Sequence, residues 1–278
     1  MPKGLEIIGG NVTNPGATFT AWTNNTGNSN QIRSADVSSK VYLVGAWGRG
    51  GTAGTLRIRS PRLHDFQQGI RMRVPATQTG PTYPQLNGGF FMQPLIPQDT
   101  LTIEQTGGAA EVDAGAMLIY YDSLPGIAAR LIDSPTVKKY GVNIIGQEVS
   151  VTTLATGNWS GQVAITSSFD NFKANTDYAL VGGLVDTDCV SVRVQGVDTG
   201  NLGVGFPGNL ALRGLTANWF SANSDESGLS LVPVFNSANK AGILVDIQHN
   251  AAATIIVTLF MVELQPNAVP GAVGNVAR

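Results

Sequence analysis

Five arginines, Arg57, Arg59, Arg62, Arg71 and Arg73, crowd one short stretch in which Asp65 is the sole acid. Guanidinium groups offer a planar fork of N–H donors, so such a cluster suits carboxylates on a facing protein surface or phosphate oxygens. Arg57 and Arg59 are two residues apart, as are Arg71 and Arg73, the spacing that puts side chains on one face of a strand. The cluster therefore reads as a salt-bridged subunit interface or as a contact with phosphates of lipid headgroups or a genome. Asp186 and Asp188, in "VDTDCV", could offer oxygen ligands to a hard cation such as calcium. The later Gly and Glu of a calcium loop are missing, and a turn between strands accounts for both acids.

Other reactive side chains form no recognisable constellation. The two histidines, His64 and His249, accompany no nucleophile motif such as G-x-S-x-G and no zinc-ligand spacing. "GRGGTAG" at 48–54 nearly spells a dinucleotide loop, but the strand-like "TLRIRS" follows it where a helix N-terminus is required, so a hairpin turn is expected. Cys189 is the single cysteine, which excludes a disulfide within the chain and reads as a small buried apolar residue. "NVT", "NNT" and "NWS" match the glycosylation triplet, yet "MPKGLEIIGG" has no secretory apolar core and the triplets receive no role. Trp22 and Trp159 could stack on a sugar, though packing in the core explains them better. No catalyst and no cofactor are expected.

The elements that must carry these residues are strands. In "TLRIRS", "LTIE" and "ILVDIQ" apolar side chains recur at every second position, and Gly, Pro, Asn and Asp clusters separate them. Loops are expected at 75–88 and 205–227. One helix is expected within "SLPGIAARLIDSP", capped by Ser123, with Ile127 and Leu131 one turn apart and Pro135 ending it. Charged residues are only 13% of the 278, while Gly reaches 34, a composition suited to tight turns and a surface hidden against other subunits. The net charge of −2 gives no basic signal for nucleic acid, and Lys3 at the N-terminus is offset by Glu6. The longest apolar run, 251–262, is shorter than the roughly 18 residues of a membrane span.

The chain also repeats itself. "LIYYDSLP" at 118–125 resembles "LFMVELQP" at 259–266; "VGA" at 44–46 resembles "VGG" at 181–183; "GFFMQP" at 89–94 resembles "GLSLVP" at 228–233; "LTIE" at 101–104 resembles "VDIQ" at 245–248; Trp22 resembles Trp159. The order is kept and the offsets stay close, as expected of a duplicated domain. Each copy has room for about eight strands, the count of a jelly roll. The expected architecture is all-β: two tandem eight-stranded jelly-roll sandwiches over 1–123 and 144–266, a helical connector over 124–143, and a flexible C-terminal arm over 267–278. "AMLIYY" and "TIIVTLFMV" are apolar on both faces, so each should be covered on both, by the sister domain or another subunit.

With these paired segments and "LPGIAARLID" between them, the chain resembles the double-jelly-roll major capsid proteins of tailless icosahedral DNA viruses, the bacteriophage members above all. The resemblance is architectural and covers about 10–266. It implies homotrimeric capsomers of hexagonal outline in a virion shell assembled in the host cytoplasm. The implied partners are other copies, penton and minor capsid proteins and internal membrane lipid, without sequence-specific nucleic acid. The competing expectation is a tandem β-sandwich that binds carbohydrate or a receptor through Trp22 and Trp159.

Overall fold

The computed structural model describes residues 3–25, 30–33, 39–63, 67–79, 92–266 and 268–269. His64, most of the 75–88 loop, the start of "GFFMQP" and nearly all of the C-terminal arm lie outside the described residues. The first half contributes β1 (Gly4–Thr13), β2 (Thr20–Ala21), β3 (Thr23–Asn24), β4 (Val41–Arg49), β5 (Gly54–Arg59), β6 (Ile70–Val74), β7 (Gln93–Leu95), β8 (Thr102–Thr106) and β9 (Val112–Tyr121). The second contributes β10 (Leu131–Ile132), β11 (Gly141–Thr153), β12 (Val163–Ala164), β13 (Asp177–Val185), β14 (Cys189–Gln195), β15 (Val204–Gly208), β16 (Val232–Asn236), β17 (Leu244–Gln248) and β18 (Ala253–Leu264).

These strands form four antiparallel sheets: β3-β1-β9-β4-β7, β2-β8-β5-β6, β10-β16-β13-β18-β11 and β12-β17-β14-β15. Setting aside the two-residue edge strands β3 and β10, each half holds eight strands among the described residues. Ranked along the chain, they are ordered 1-8-3-6 in one sheet and 2-7-4-5 in the other, identically in both halves. That is the double Greek key of a jelly roll. Even the irregularities repeat. Against its neighbour β9, β4 is bulged between Leu43 and Gly45, and against β18, β13 is bulged between Leu180 and Gly182.

Two local expectations are corrected. Residues 123–130 are not helical: Gly126 takes φ 83°, which breaks any helix, and β10 follows. The helix, α1, is Ser134–Tyr140, with Asp133 accepting from the Thr136 N–H at 2.8 Å and Pro135 in its first turn. Proline there starts a helix, since its missing N–H would have no partner. The 205–227 segment is not a loop. It comprises most of β15 and two helices, α2 (Arg213–Thr216) and α3 (Trp219–Ser227), which pack against β13. Gly182 permits that approach: a Cβ there would stand 2.3 Å from the Thr216 carbonyl oxygen. "GRGGTAG" is a turn, but it carries the chain from β4 in one sheet to β5 in the other, so it is not a hairpin.

The core explains the doubly apolar strand. Met117, Ile119 and Tyr121 of β9 face the interior of the first sandwich with Leu43, Leu56 and Ile103. Ala116, Leu118 and Tyr120 face the other way and join Leu5, Ile7 and Trp47 in a cluster continuous with the second sandwich's core. The β1-β9-β4 face is thus packed on the second half's β14-β15-β17 sheet. Trp47 Nε1 donates to Ser191 Oγ at 2.7 Å, the Ile7 N–H to the Gly203 carbonyl at 2.7 Å and Gln248 Nε2 to the Gly10 carbonyl at 2.9 Å. Trp47 also meets Trp219 edge to face at 5.7 Å. In β18 only one face is sealed: Ile255, Val257, Leu259 and Met261 are fully buried, whereas Ile256 is 43% exposed.

Because this seam shares its apolar cluster with the second core, the two halves are expected to unfold in one cooperative transition. Trp47→Ala should cost about 3–5 kcal/mol by the usual scale for a buried tryptophan. Urea denaturation followed by tryptophan fluorescence and circular dichroism checks both; two separated transitions in the parent chain would contradict the shared core.

Candidate functional site

Strand register brings four of the five arginines to the outward face of the β2-β8-β5-β6 sheet. Arg57 stands between Glu104 on β8 and Arg71 on β6, while Thr55 in the next row stands between Thr106 and Arg73. Glu104 accepts from Arg57 Nε at 2.7 Å and from Arg59 Nε and Nη2 at 2.9 and 3.0 Å. One carboxylate therefore serves two guanidiniums. Arg71 is held by the Gln68 side chain at 2.5 Å and Arg73 by Thr55 Oγ1 at 3.2 Å, with no carboxylate on either among the described residues. The Arg57 guanidinium lies 3.8 Å from the centre of the Phe19 ring and that of Arg71 5.2 Å away. A cavity of about 420 Å³ opens here, lined by Phe19, Thr55, Arg71, Arg73 and Thr106 among others. Arg62 lies apart on the exposed turn after β5.

The second half contains the same arrangement. Arg193 on β14 pairs across the sheet with Asp246 on β17, one row from Ser191 and Gln248. Arg193 binds Asp246 through both carboxylate oxygens, with Nε to Oδ1 at 2.8 Å, and its guanidinium lies 4.3 Å from the Trp159 ring. An aromatic ring, an arginine and an acid thus recur as Phe19–Arg57–Glu104 and Trp159–Arg193–Asp246. Their surroundings differ. The second set is sealed in the seam, where Gly9 passes so close that a Cβ would touch the Trp159 ring at 3.0 Å. Burial pushes the Asp246 carboxyl above its ordinary value, against the opposing pull of Arg193.

The other residues singled out by sequence are scattered. Asp186 accepts from the Ile256 N–H at 2.9 Å and Asp188 from the Leu210 N–H at 2.6 Å, so each ties down a neighbouring strand or turn. No group of three potential metal ligands occurs among the described residues. His249 is buried, and desolvation together with nearby Arg49 pulls its imidazole down to about 4, leaving it neutral. Cys189 is fully buried and burial pushes its thiol up. Trp22 and Trp159 do not form a platform: Trp22 points into the first core and donates to Gln105 Oε1 at 3.3 Å, whereas Trp159 lies in the seam. The true counterpart of Trp159 is Phe19. Asn11 and Asn158, both in glycosylation triplets, hydrogen-bond each other across the seam at 2.8 Å.

Sequence reasoning missed Asp113. This buried side chain on β9 accepts from Gln105 Nε2 at 3.1 Å. Burial first, and the adjacent Glu111 carboxylate second, push it up to about 7. The two acids of "EVD", at the entry to an otherwise apolar strand, were the available signal.

No family model matches the chain, and no curated protein matches it. Among solved structures, it is similar to the PBSX exported protein XepA at 11% identity, over 93% of this chain and 86% of that one, with a TM-score of 0.25. It is similar to the major capsid protein P2 from bacteriophage PM2 at 8% identity, over 95% and 99%, with a TM-score of 0.22. A chain in the atomic structure of Sulfolobus turreted icosahedral virus shares 10% identity over 96% and 92%, with a TM-score of 0.22. Likeness this loose carries no argument about role.

The paired sites predict unequal costs. Asp246→Ala leaves Arg193 buried without its partner and should cost about 3–5 kcal/mol. Glu104→Ala leaves Arg57 and Arg59, whose side chains are 12% and 26% exposed, with water in reach and should cost less. Denaturant titration of both variants checks the contrast; equal costs would contradict it. For Asp113 the folded-state value lies above the unfolded value of about 4, so the folded state holds this proton more tightly. Its stabilising contribution is complete below that value and is lost as pH rises through about 7. Asp113→Asn should therefore lose less stability than the parent between pH 5 and 8, measured by urea denaturation; parallel losses would contradict this.

Proposed function

We propose that this chain is a structural protein of a virion: a major capsid protein whose three copies form a pseudo-hexagonal capsomer of an icosahedral shell. The observation that carries the reading is the repeated strand order, 1-8-3-6 over 2-7-4-5, in two halves packed sheet on sheet. Two similar blocks per chain and three chains per ring give six similar edges, the geometry of a hexagonal tile. Low charge content and exposed apolar side chains on β11 and β18 agree with a surface meant to be covered. In this reading the blocks are 1–123 and 144–266, and the protein acts by geometry rather than catalysis. It would assemble in the host cytoplasm and meet penton and minor capsid proteins, with internal membrane lipid as a further contact. Carbohydrate binding by the two tryptophans gains no support, because Trp22 is buried and Trp159 is committed to Arg193.

The purified protein is expected to have the mass of a trimer and a hexagonal outline in negative stain. Sedimentation and imaging check this; a monomer at every concentration would contradict it.

A further inference from the structure

The first half presents its β1-β9 face to the second half, where it is buried. The equivalent face of the second half is covered by α2 and α3 on β13, the counterpart of β4, is half-buried at Phe260 and Val262 of β18, and is exposed on β11. The shared bulges fix the equivalence. In the first half the bulge lies opposite Ile119 and Leu118, and in the second opposite Met261 and Phe260. Leu118 pairs with Ile7, and Phe260 with Gly146. The neighbouring rows follow: Leu5–Tyr120 corresponds to Ile144–Val262, and Gly9–Ala116 to Glu148–Thr258. Leu5 is 0% and Tyr120 2% exposed, whereas Ile144 is 58% exposed.

The opposite end of the molecule shows the converse. The aromatic–arginine–acid site is covered by the sister half on β14 and β17 but uncovered on β5 and β8. One chain therefore ends in both halves of the contact that its own seam makes.

We infer that a second copy of this chain docks its β2-β8-β5-β6 face onto the β11–β18 face, repeating the β1–β9 part of the internal seam between subunits, with Glu148 of one copy entering the Arg71–Arg73 cavity of the next. The contact is head to tail, so it closes into a ring when the rotation per step divides a full turn. The placement of Glu148 follows from its equivalent. A Cβ on Gly9 would lie 3.0 Å from Trp159 and 3.1 Å from Gln248 Oε1. The counterparts of those two residues are Phe19 and Thr106, which both line the cavity. Where the internal seam has a glycine, the outer face carries an exposed carboxylate, and where the internal site has one arginine, the cavity adds Arg71 and Arg73. Charge complementarity and shape thus point to the same occupant.

The inference rests on the reading that the chain assembles with itself, and the test separates the two. Glu148→Arg, the pair Arg71→Glu with Arg73→Glu, and the combination of all three are compared with the parent by mass photometry over a dilution series. All the changed side chains are exposed, and unchanged far-ultraviolet circular dichroism confirms folding. Each reversal alone should raise the concentration of half-assembly at least tenfold, and the combination should recover most of that loss. If the parent assembles and every variant assembles equally well, the surface assignment is overturned while self-assembly stands. A parent that stays monomeric overturns self-assembly itself. If the arginine pair affects only binding to anionic phospholipid vesicles, the cavity is a phosphate site and the inference is overturned.

Discussion

The structure depends on the packing of one sheet face, β1-β9-β4, against another, β14-β15-β17. Everything peculiar about β9 follows from it. A strand with a single covered face alternates apolar and polar side chains, but β9 is buried on both, so from Met117 to Tyr121 the tyrosine hydroxyls are the sole polar side-chain groups. Trp47, Leu118 and Tyr120 make the seam part of the second core rather than a wet contact between domains.

That double burial also limited what the sequence could reveal. The duplication was legible: the order of the paired segments is the order of the equivalent strands, and "VGA" and "VGG" mark the same bulge. The register was not. "LIYY" and "LFMV" align at an offset of 141, yet the bulges place Ile119 opposite Met261, an offset of 142 (261 − 119). The letter match sets Leu118, which faces the seam, beside Leu259, which faces a core. A one-residue slip exchanges faces, and a strand apolar on both sides gives no alternation to prevent it. Likewise "LTIE" and "VDIQ" match two residues away from the true pair, Glu104 and Asp246, which hid the repeated ion pair. Arg57 and Arg193 occupy equivalent places on β5 and β14, and each is paired with the acid on the neighbouring strand. The helix was misplaced for a simpler reason: two apolar residues one turn apart are weak evidence, and Gly126 outweighs them.

The repeated aromatic–arginine–acid site shows how one arrangement serves two environments. Within the seam, Arg193 and Asp246 are desolvated together, so their bidentate geometry and the Trp159 ring must offset the cost of removing both charges from water. On the outer sheet the same strand positions carry surplus positive charge, because Glu104 answers Arg57 and Arg59 while Arg71 and Arg73 face outward. An excess of arginine at an exposed site whose twin is covered marks a surface suited to a charged partner.

The central claim is that the contact inside one chain is repeated between chains. Electron cryomicroscopy of the assembled protein tests it most directly. The account predicts that a neighbour's first half sits on the β11–β18 face as the second half sits on β1–β9, with Glu148 beside the neighbour's arginine cavity. Two β11–β18 faces packed on each other, or an assembly that leaves this face in solvent, would contradict it.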